Sequence, residues 1–254
     1  MRIVTHTCSN TEIVCALGRG DCLVGVDDHS DYPPEVVGRL PRIGPDLDVD
    51  VETIVALKPD LVVTSLTVPG HERCLERIQA AGLPLLVTQP HCLADVADDI
   101  LRIGEAIGAD SEARDLAGRF NETLEQPRPD ARPVPVLVEW WPKPVIVPGR
   151  RSWVNEMLEL AGACNPWANE DAESLQISAA RAREAAPEII VMSWCGVDES
   201  KYRPHVVQRR EGWDTVPAIA GNRIHPISEA WLGRPGPRLL EGIERLRELV
   251  SAYQ

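Results

Sequence analysis

The sequence predicts an α/β chain of two lobes joined by a long helical segment, and three observations carry that reading. Strand-like apolar runs alternate with helix-like segments over residues 1–90. Residues 93–125 then keep helical spacing with no strand-like run, and the alternation resumes at residue 134. Finally, the stretch 50–63 reappears at 178–191, offset by 128 residues. Strands that alternate with helices pair in parallel, because a helical crossover returns the chain to the same end of the sheet.

In chain order, Ile3-Val4 reads as a strand. Ser9-Asn10-Thr11-Glu12 has the S-x-x-E form of a capping box and opens a helix that should stop at Gly18. Leu23 to Val26 is a second strand. Asp50 caps a short helix ending before Pro59, and Leu61-Val62-Val63 follows as a third strand. A helix over 71–81 stops at Gly82, and Leu85-Leu86-Val87 is the fourth strand. Leu93, Val96, Ala97, Ile100, Leu101 and Ile107 share one helical face. Gly108 interrupts, and Leu116, Ala117, Phe120 and Leu124 continue at the same spacing until prolines from Pro127 onward end it. Val134 to Val138 is a strand, followed by the Pro-rich Trp141-Pro142-Lys143-Pro144. Ser152 is expected to cap a helix from Trp153 to Leu160. Ser178 is expected to cap another that ends before Pro187, with the strand Ile189 to Met192 behind it. In the internal match cap falls on cap, Pro59 on Pro187, Asp60 on Glu188 and strand on strand. The expected organisation is an N-terminal α/β lobe (1–92), a helical connector (93–126) and a C-terminal α/β lobe (127–254).

Composition narrows the function. The 254 residues are 44% hydrophobic and 26% charged, enough to bury a core. No apolar run approaches the roughly 18 residues of a membrane span. Net charge is −13, and it is uneven: residues 1–126 hold 10 basic and 22 acidic side chains, residues 127–254 hold 16 and 17. Such a front half repels a phosphate backbone, which excludes nucleic acid as a partner and leaves a solvated acidic surface or a cation-binding one. The N-terminus runs straight into a strand, so no secretory signal is expected in this chain. Of seven cysteines without a C-x-x-C pair, most read as small buried hydrophobes, and free thiols suit a reducing compartment.

No P-loop, G-x-G-x-x-G, H-E-x-x-H or G-x-S-x-G motif is present, and the six histidines lack metal-ligand spacing. No metal site is expected. His6 and His225 lie in or beside strands and read as satisfied structural residues. His29, in Asp27-Asp28-His29-Ser30-Asp31, follows a strand and so lies at the ligand-facing end of a parallel sheet. All seven tryptophans fall in the second half, against one Phe and three Tyr in the whole chain. Trp140-Trp141 and Trp194 follow strands directly. With Trp231 they offer flat apolar faces and N–H donors to a broad, partly polar ligand, or else they cover loops over a small core. Trp153 and Trp213 read as core.

Ser9-Asn10-Thr11-Glu12, Val24-Gly25-Val26, Ser30 through Glu35, and Glu52 through Val62 together resemble the cobalamin-binding proteins of ABC importers. More broadly they resemble the cobalamin, siderophore and haem class of substrate-binding proteins. The resemblance runs nearly end to end and closes with Arg234-Pro235-Gly236-Pro237-Arg238. It implies two α/β lobes joined by a long rigid helix, with the ligand in a cleft between them, in the manner of class III periplasmic binding proteins. It also implies an acidic docking residue on each lobe for an importer permease. Glu52 matches the first; the second position is Ala180, with Glu184 one turn away. At ligand positions where cobalamin binders often carry an aromatic, this chain has His29, Asp46, Ser65 and Ile146. Trp140 and Trp231 keep aromatic positions, and Trp141 and Trp194 add new ones.

The function the resemblance implies is non-enzymatic binding of cobalamin or a related corrinoid as ligand, with no cofactor, by a monomer that delivers it to an ABC importer. A ferric siderophore or other metal chelate is the alternative ligand. A cytoplasmic corrinoid chaperone or enzyme on the same fold is the alternative class. The resemblance places the protein in the periplasm or at the cell surface; the absent signal and the cysteines leave the cytoplasm open.

Overall fold

The computed structural model describes all residues 1–254, which divide into two compact units. The first comprises Met1–Pro90 with Ala94–Glu122, the second His91–Leu93 with Thr123–Gln254.

In the first unit β1 (Ile3–Thr5), β2 (Leu23–Val26), β3 (Leu61–Ser65) and β4 (Leu85–Thr88) form one parallel sheet in the order β2-β1-β3-β4. The crossovers are α1 (Cys8–Ala16), α2 (Pro34–Val37) with α3 (Val51–Ala56), and α4 (His71–Ala80). All five residues of β3 are buried, as expected for an interior strand of a parallel sheet. Val4, Ile43, Val49, Ile54, Val62, Cys74 and Ile78 form the core on one face.

Several sequence expectations hold residue by residue. Asp50 caps α3 by accepting from the Thr53 backbone N–H, and Gly18 and Gly82 lie in the left-handed region just past the ends of α1 and α4. The Ser9–Glu12 capping box does not form. Helix α1 starts at Cys8, behind Thr7 at φ 79°, with no side-chain cap, and Ser9 and Glu12 are buried within it. The Ser9 hydroxyl, expected to cap, instead meets Thr7 Oγ1 at 3.1 Å, at the margin of a polar network at the strand ends described below.

The expected single long helix over 93–126 is two helices, α5 (Leu93–Ile107) and α6 (Asp110–Leu124). Gly108, at φ +68°, ends α5 as a left-handed terminator, and Ala109 N–H donates back to Gly104 C=O at 2.8 Å. Most of both helices packs within the first unit.

The second unit holds a parallel sheet in the order β11-β10-β5-β8, made of β5 (Val134–Glu139), β8 (Ala163–Cys164), β10 (Ile189–Met192) and β11 (Ile224–Pro226). A smaller antiparallel sheet joins β6 (Trp141–Pro142), β7 (Val145–Pro148) and β9 (Ser174–Ile177). The helices are α7 (Val154–Leu160), α8 (Ala179–Ala185), α9 (Pro204–Gln208), α10 (Pro217–Ala220), α11 (Glu229–Leu232) and α12 (Leu239–Ser251). Ser178 caps α8 through the Arg181 N–H as expected. Ser152 does not cap α7: Trp153 occupies the cap position, and the Ser152 carbonyl accepts from Asn155 N–H instead.

The internal repeat extends to the backbone. Lys58 and Ala186, 128 positions apart and each directly before the repeat's proline, both adopt left-handed φ, at 48° and 46°. Asp60 N–H donates to Arg2 C=O and Glu188 N–H to Pro135 C=O, both at 2.8 Å, so each repeat ties its third element to the first strand of its own sheet.

Candidate ligand-contacting surfaces

In a parallel sheet the loops after the strands converge at the carboxyl edge, where ligands bind. In the first unit this edge is polar and buried. Ser65, at the end of β3, is 0% exposed; its hydroxyl meets Thr88 Oγ1 at 2.6 Å and Thr7 Oγ1 at 3.1 Å, and accepts from Asn10 Nδ2 at 3.0 Å. A second chain runs Thr5–Thr11–Ser30 with both hydroxyl contacts at 2.7 Å, and Ser30 donates to Asp27 Oδ2 at 2.6 Å. Burial pushes the Asp27 carboxyl up, against the hydrogen bonds from Ser30 and the His29 backbone. These hydroxyls satisfy one another, as buried polar groups must. Ser65, expected to face a ligand, is a member of this network. The signal was present: Thr5, Thr64-Ser65 and Thr88 place a hydroxyl at the end of three strands of four.

Above that layer four side chains converge. His6 is fully buried; its Nε2–H donates to the Asp46 carbonyl at 2.6 Å, and its Nδ1 accepts from the Thr64 hydroxyl at 2.7 Å. Burial pulls its pKa down to about 4, so the ring is neutral near neutral pH. The Asp46 carboxylate lies between two imidazoles, with His29 Nε2 3.5 Å from Oδ1 and His71 Nε2 3.6 Å from Oδ2. Both histidines hold the Asp46 carboxyl well below the usual carboxylate range, His29 most strongly. His71 is buried and meets the His6 ring edge-on at 5.0 Å. The cluster presents a carboxylate held between two imidazoles, a fixed charge with hydrogen-bonding edges. Arg42 braces the loop below by donating to the Asp27 and Ser30 carbonyls at 2.8 and 2.7 Å. His29 and Asp46, both expected at the site, are thus brought together and partly open, at 42% and 29% side-chain exposure. Exposed Leu47 adjoins Asp46, and exposed Val68 lies in the loop leading into His71. Sequence reading missed His71 because it opens a helix and carries no motif.

The carboxyl edge of the second unit is aromatic. Trp140 is half-buried, its backbone N–H donating to Ile146 C=O at 2.9 Å. Trp141 is 40% exposed at the start of the β6–β7 hairpin, and its indole N–H donates to Lys143 C=O at 3.1 Å. Ile146 pairs with Trp141 across that hairpin. Trp194, expected to be open, is buried: its indole N–H donates to Glu139 Oε1 at 2.9 Å and its ring lies 5.3 Å from Tyr202. Trp231 is half-buried with the Arg245 guanidinium 3.6 Å from its ring, so one indole face is already covered. It lines a cavity of about 250 Å³ with His225, Ile227, Glu199 and Glu248. Trp153 and Trp213 are core, as expected.

Glu52 is exposed in the first turn of α3, and Ala180 takes the matching place on α8, exposed, with exposed Glu184 one turn on.

Residues 3–229 match the family model described as periplasmic binding protein. The chain is 30% identical to an uncharacterized ABC transporter substrate-binding lipoprotein, YvrC, of Bacillus subtilis, over 98% of this chain and 79% of that protein. The crystal structure of the periplasmic vitamin B12 binding protein BtuF of Vibrio cholerae superposes with a TM-score of 0.80 at 25% identity, covering 99% and 96% of the two chains. The periplasmic heme-binding protein RhuT from Roseiflexus sp. RS-1 superposes with a TM-score of 0.82 at 28% identity, covering 98% and 97%. With a family model matched over most of its length, and with a parallel sheet in each unit whose carboxyl edge is polar in the first and aromatic in the second, this chain belongs to the periplasmic binding protein family.

Proposed function

We propose that the protein is a non-enzymatic substrate-binding component of an ABC importer, acting outside the cytoplasmic membrane, and that its ligand is cobalamin or a related corrinoid. The observation that carries the ligand reading is the contrast between the two strand-end surfaces: indole faces at Trp140 and Trp141 in one unit, and the ionised Asp46 with His29 in the other. A corrin has apolar faces suited to indole and an edge of neutral amides suited to a carboxylate and an imidazole. Haem carries propionates that meet Asp46 as like charge. The similarity to a vitamin B12 binding protein supports the corrinoid, and the similarity to a heme-binding protein keeps haem as the competitor to be tested. In this reading His29 and Asp46 serve the amide edge, and Trp140, Trp141 and the open edge of Trp231 supply flat contact. Ser65 and Trp194 act from beneath.

Calorimetric titration with cyanocobalamin, hemin and a ferric siderophore tests the assignment. Saturable one-site binding of cyanocobalamin, tighter than that of the other two, is expected. No binding of cyanocobalamin beside tight binding of either competitor overturns the corrinoid and leaves the family.

A further inference from the structure

The second unit contains a buried charged pair that the ligand reading does not use. Glu139, the last residue of β5, is 0% exposed, yet its carboxylate accepts three N–H groups. Arg210 Nη1 donates to Oε2 at 2.6 Å and Nη2 to Oε1 at 3.1 Å, a two-pronged guanidinium–carboxylate clasp, while Trp194 Nε1 donates to Oε1 at 2.9 Å. The guanidinium carbon also lies 4.5 Å from the centre of the Trp213 ring. Backbone bonds extend the assembly: Ser193 N–H donates to Glu139 C=O and Cys195 N–H to Trp140 C=O, both at 3.0 Å. The Tyr202 hydroxyl closes the loop by donating to Trp194 C=O at 3.1 Å. Arg210, 71 residues along the chain, thus clasps the end of β5, and the same Glu139 carboxylate holds the Trp194 indole of the segment after β10.

A buried ion pair is a poor way to gain stability, because desolvating both charges offsets their attraction. What it does supply is geometry: the fork accepts one orientation of the carboxylate, and the carboxylate in turn fixes the Trp194 indole. We propose that Arg210, through Glu139, is a positioning residue for ligand binding. It holds Trp194 and the Trp140–Trp141 turn in the arrangement that receives the ligand, without touching the ligand itself. The proposal rests on the corrinoid reading for its choice of probe.

The test is cyanocobalamin titration of the whole protein and of Arg210→Met, Arg210→Lys and the double variant Glu139→Gln/Arg210→Met. Thermal melts and the near-ultraviolet circular dichroism of the free proteins accompany it, with Trp194→Phe identifying the Trp194 bands. Arg210→Met leaves Glu139 charged and buried without its partner, so it lowers the melting midpoint. The double variant removes that charge while its amide oxygen still accepts from the indole, and recovers most of the midpoint. Affinity is expected to stay about tenfold or more below wild type in both, the scale of ordering two aromatic side chains, with the Trp194 bands altered. Arg210→Lys, which keeps the charge without the fork, is expected to fold and to fall between. Wild-type affinity in the double variant, or in both single Arg210 variants, overturns the proposal. A wild-type protein that binds hemin or the siderophore instead overturns only the corrinoid reading, and the same series is then read with that chelate. A wild-type protein that binds none of the three overturns both.

Discussion

Trp141 and Trp213 show how one residue type serves two ends. Trp141 is 40% exposed with its indole N–H donating to Lys143 C=O, whereas Trp213 is 2% exposed beneath Arg210. Trp141→Ala is therefore expected to weaken corrinoid binding about thirtyfold, the cost of about 2 kcal/mol typical of an anchoring tryptophan, with little change in urea unfolding. Trp213→Ala is expected to cost about 3–5 kcal/mol of stability, read in the same unfolding experiment. Two buried titratable groups set opposing pH dependences. His6, neutral when folded with a pKa of about 4, binds fewer protons than the unfolded chain below its ordinary value of 6.5. Its contribution is therefore present above pH 6.5 and is lost as pH falls toward 4, up to about 3 kcal/mol. Asp99 is pushed up by burial to about 6, against the pull of Arg102. It binds more protons when folded, so stability rises as pH falls through 6 toward 3.8. The two nearly cancel in the native protein. Asp99→Asn removes one of them: the variant is expected to be more stable than wild type at pH 7 and to lose about 2 kcal/mol more than wild type between pH 6.5 and 4.5 by urea titration.

At the level of elements, strands and helices were legible where a local signal is enough. Asp50 and Ser178 cap as read, and the apolar runs at 61–63, 134–138 and 189–192 are strands. What was not legible depends on partners distant in sequence. The Ser9–Glu12 box fails because those side chains are buried in α1 at the polar edge of the sheet. The β6–β7–β9 sheet was missed because its strands are short, two of them contain proline, and β7 pairs with β9 across about thirty positions. At the site, His29, Asp46 and the tryptophans could be singled out from type and position. Which of them are open could not, since the Glu139 carboxylate that holds buried Trp194 and the Arg245 stack on Trp231 are tertiary contacts. The break between α5 and α6 has its own packing consequence. A Cβ on Gly104 would stand 2.2 Å from Ala113 Cβ, so the two helices approach through a missing side chain. Gly104→Ala is expected to destabilise by about 1–3 kcal/mol despite alanine's better helix propensity, and Ala113→Gly added to it should restore part of the loss.

For the whole molecule, charge is distributed by unit and the repeat shows where that matters. Helices α3 and α8 occupy equivalent places, each capped, each ended by a left-handed residue before proline. On the first, Glu52 stands exposed beside Asp50 and near Asp48; on the second, exposed Ala180 is followed by Arg181 and Arg183. The importer reading therefore predicts a one-sided electrostatic attachment, in which Glu52 supplies the acidic contact and Ala180 supplies none. Glu52→Ala should leave thermal stability within about 0.5 kcal/mol, because the side chain is exposed. The same substitution should weaken association with the permease reconstituted in liposomes, and raising the salt concentration should shrink the difference between variant and wild type as the charge is screened. Ala180→Glu adds a carboxylate in the first turn of α8, where the helix dipole favours it, and should strengthen association with a permease bearing basic docking pockets on both halves. A Glu52→Ala protein that melts early assigns the residue to folding, and one that associates as tightly as wild type, with Ala180→Glu equally silent, places the docking surface elsewhere on the molecule.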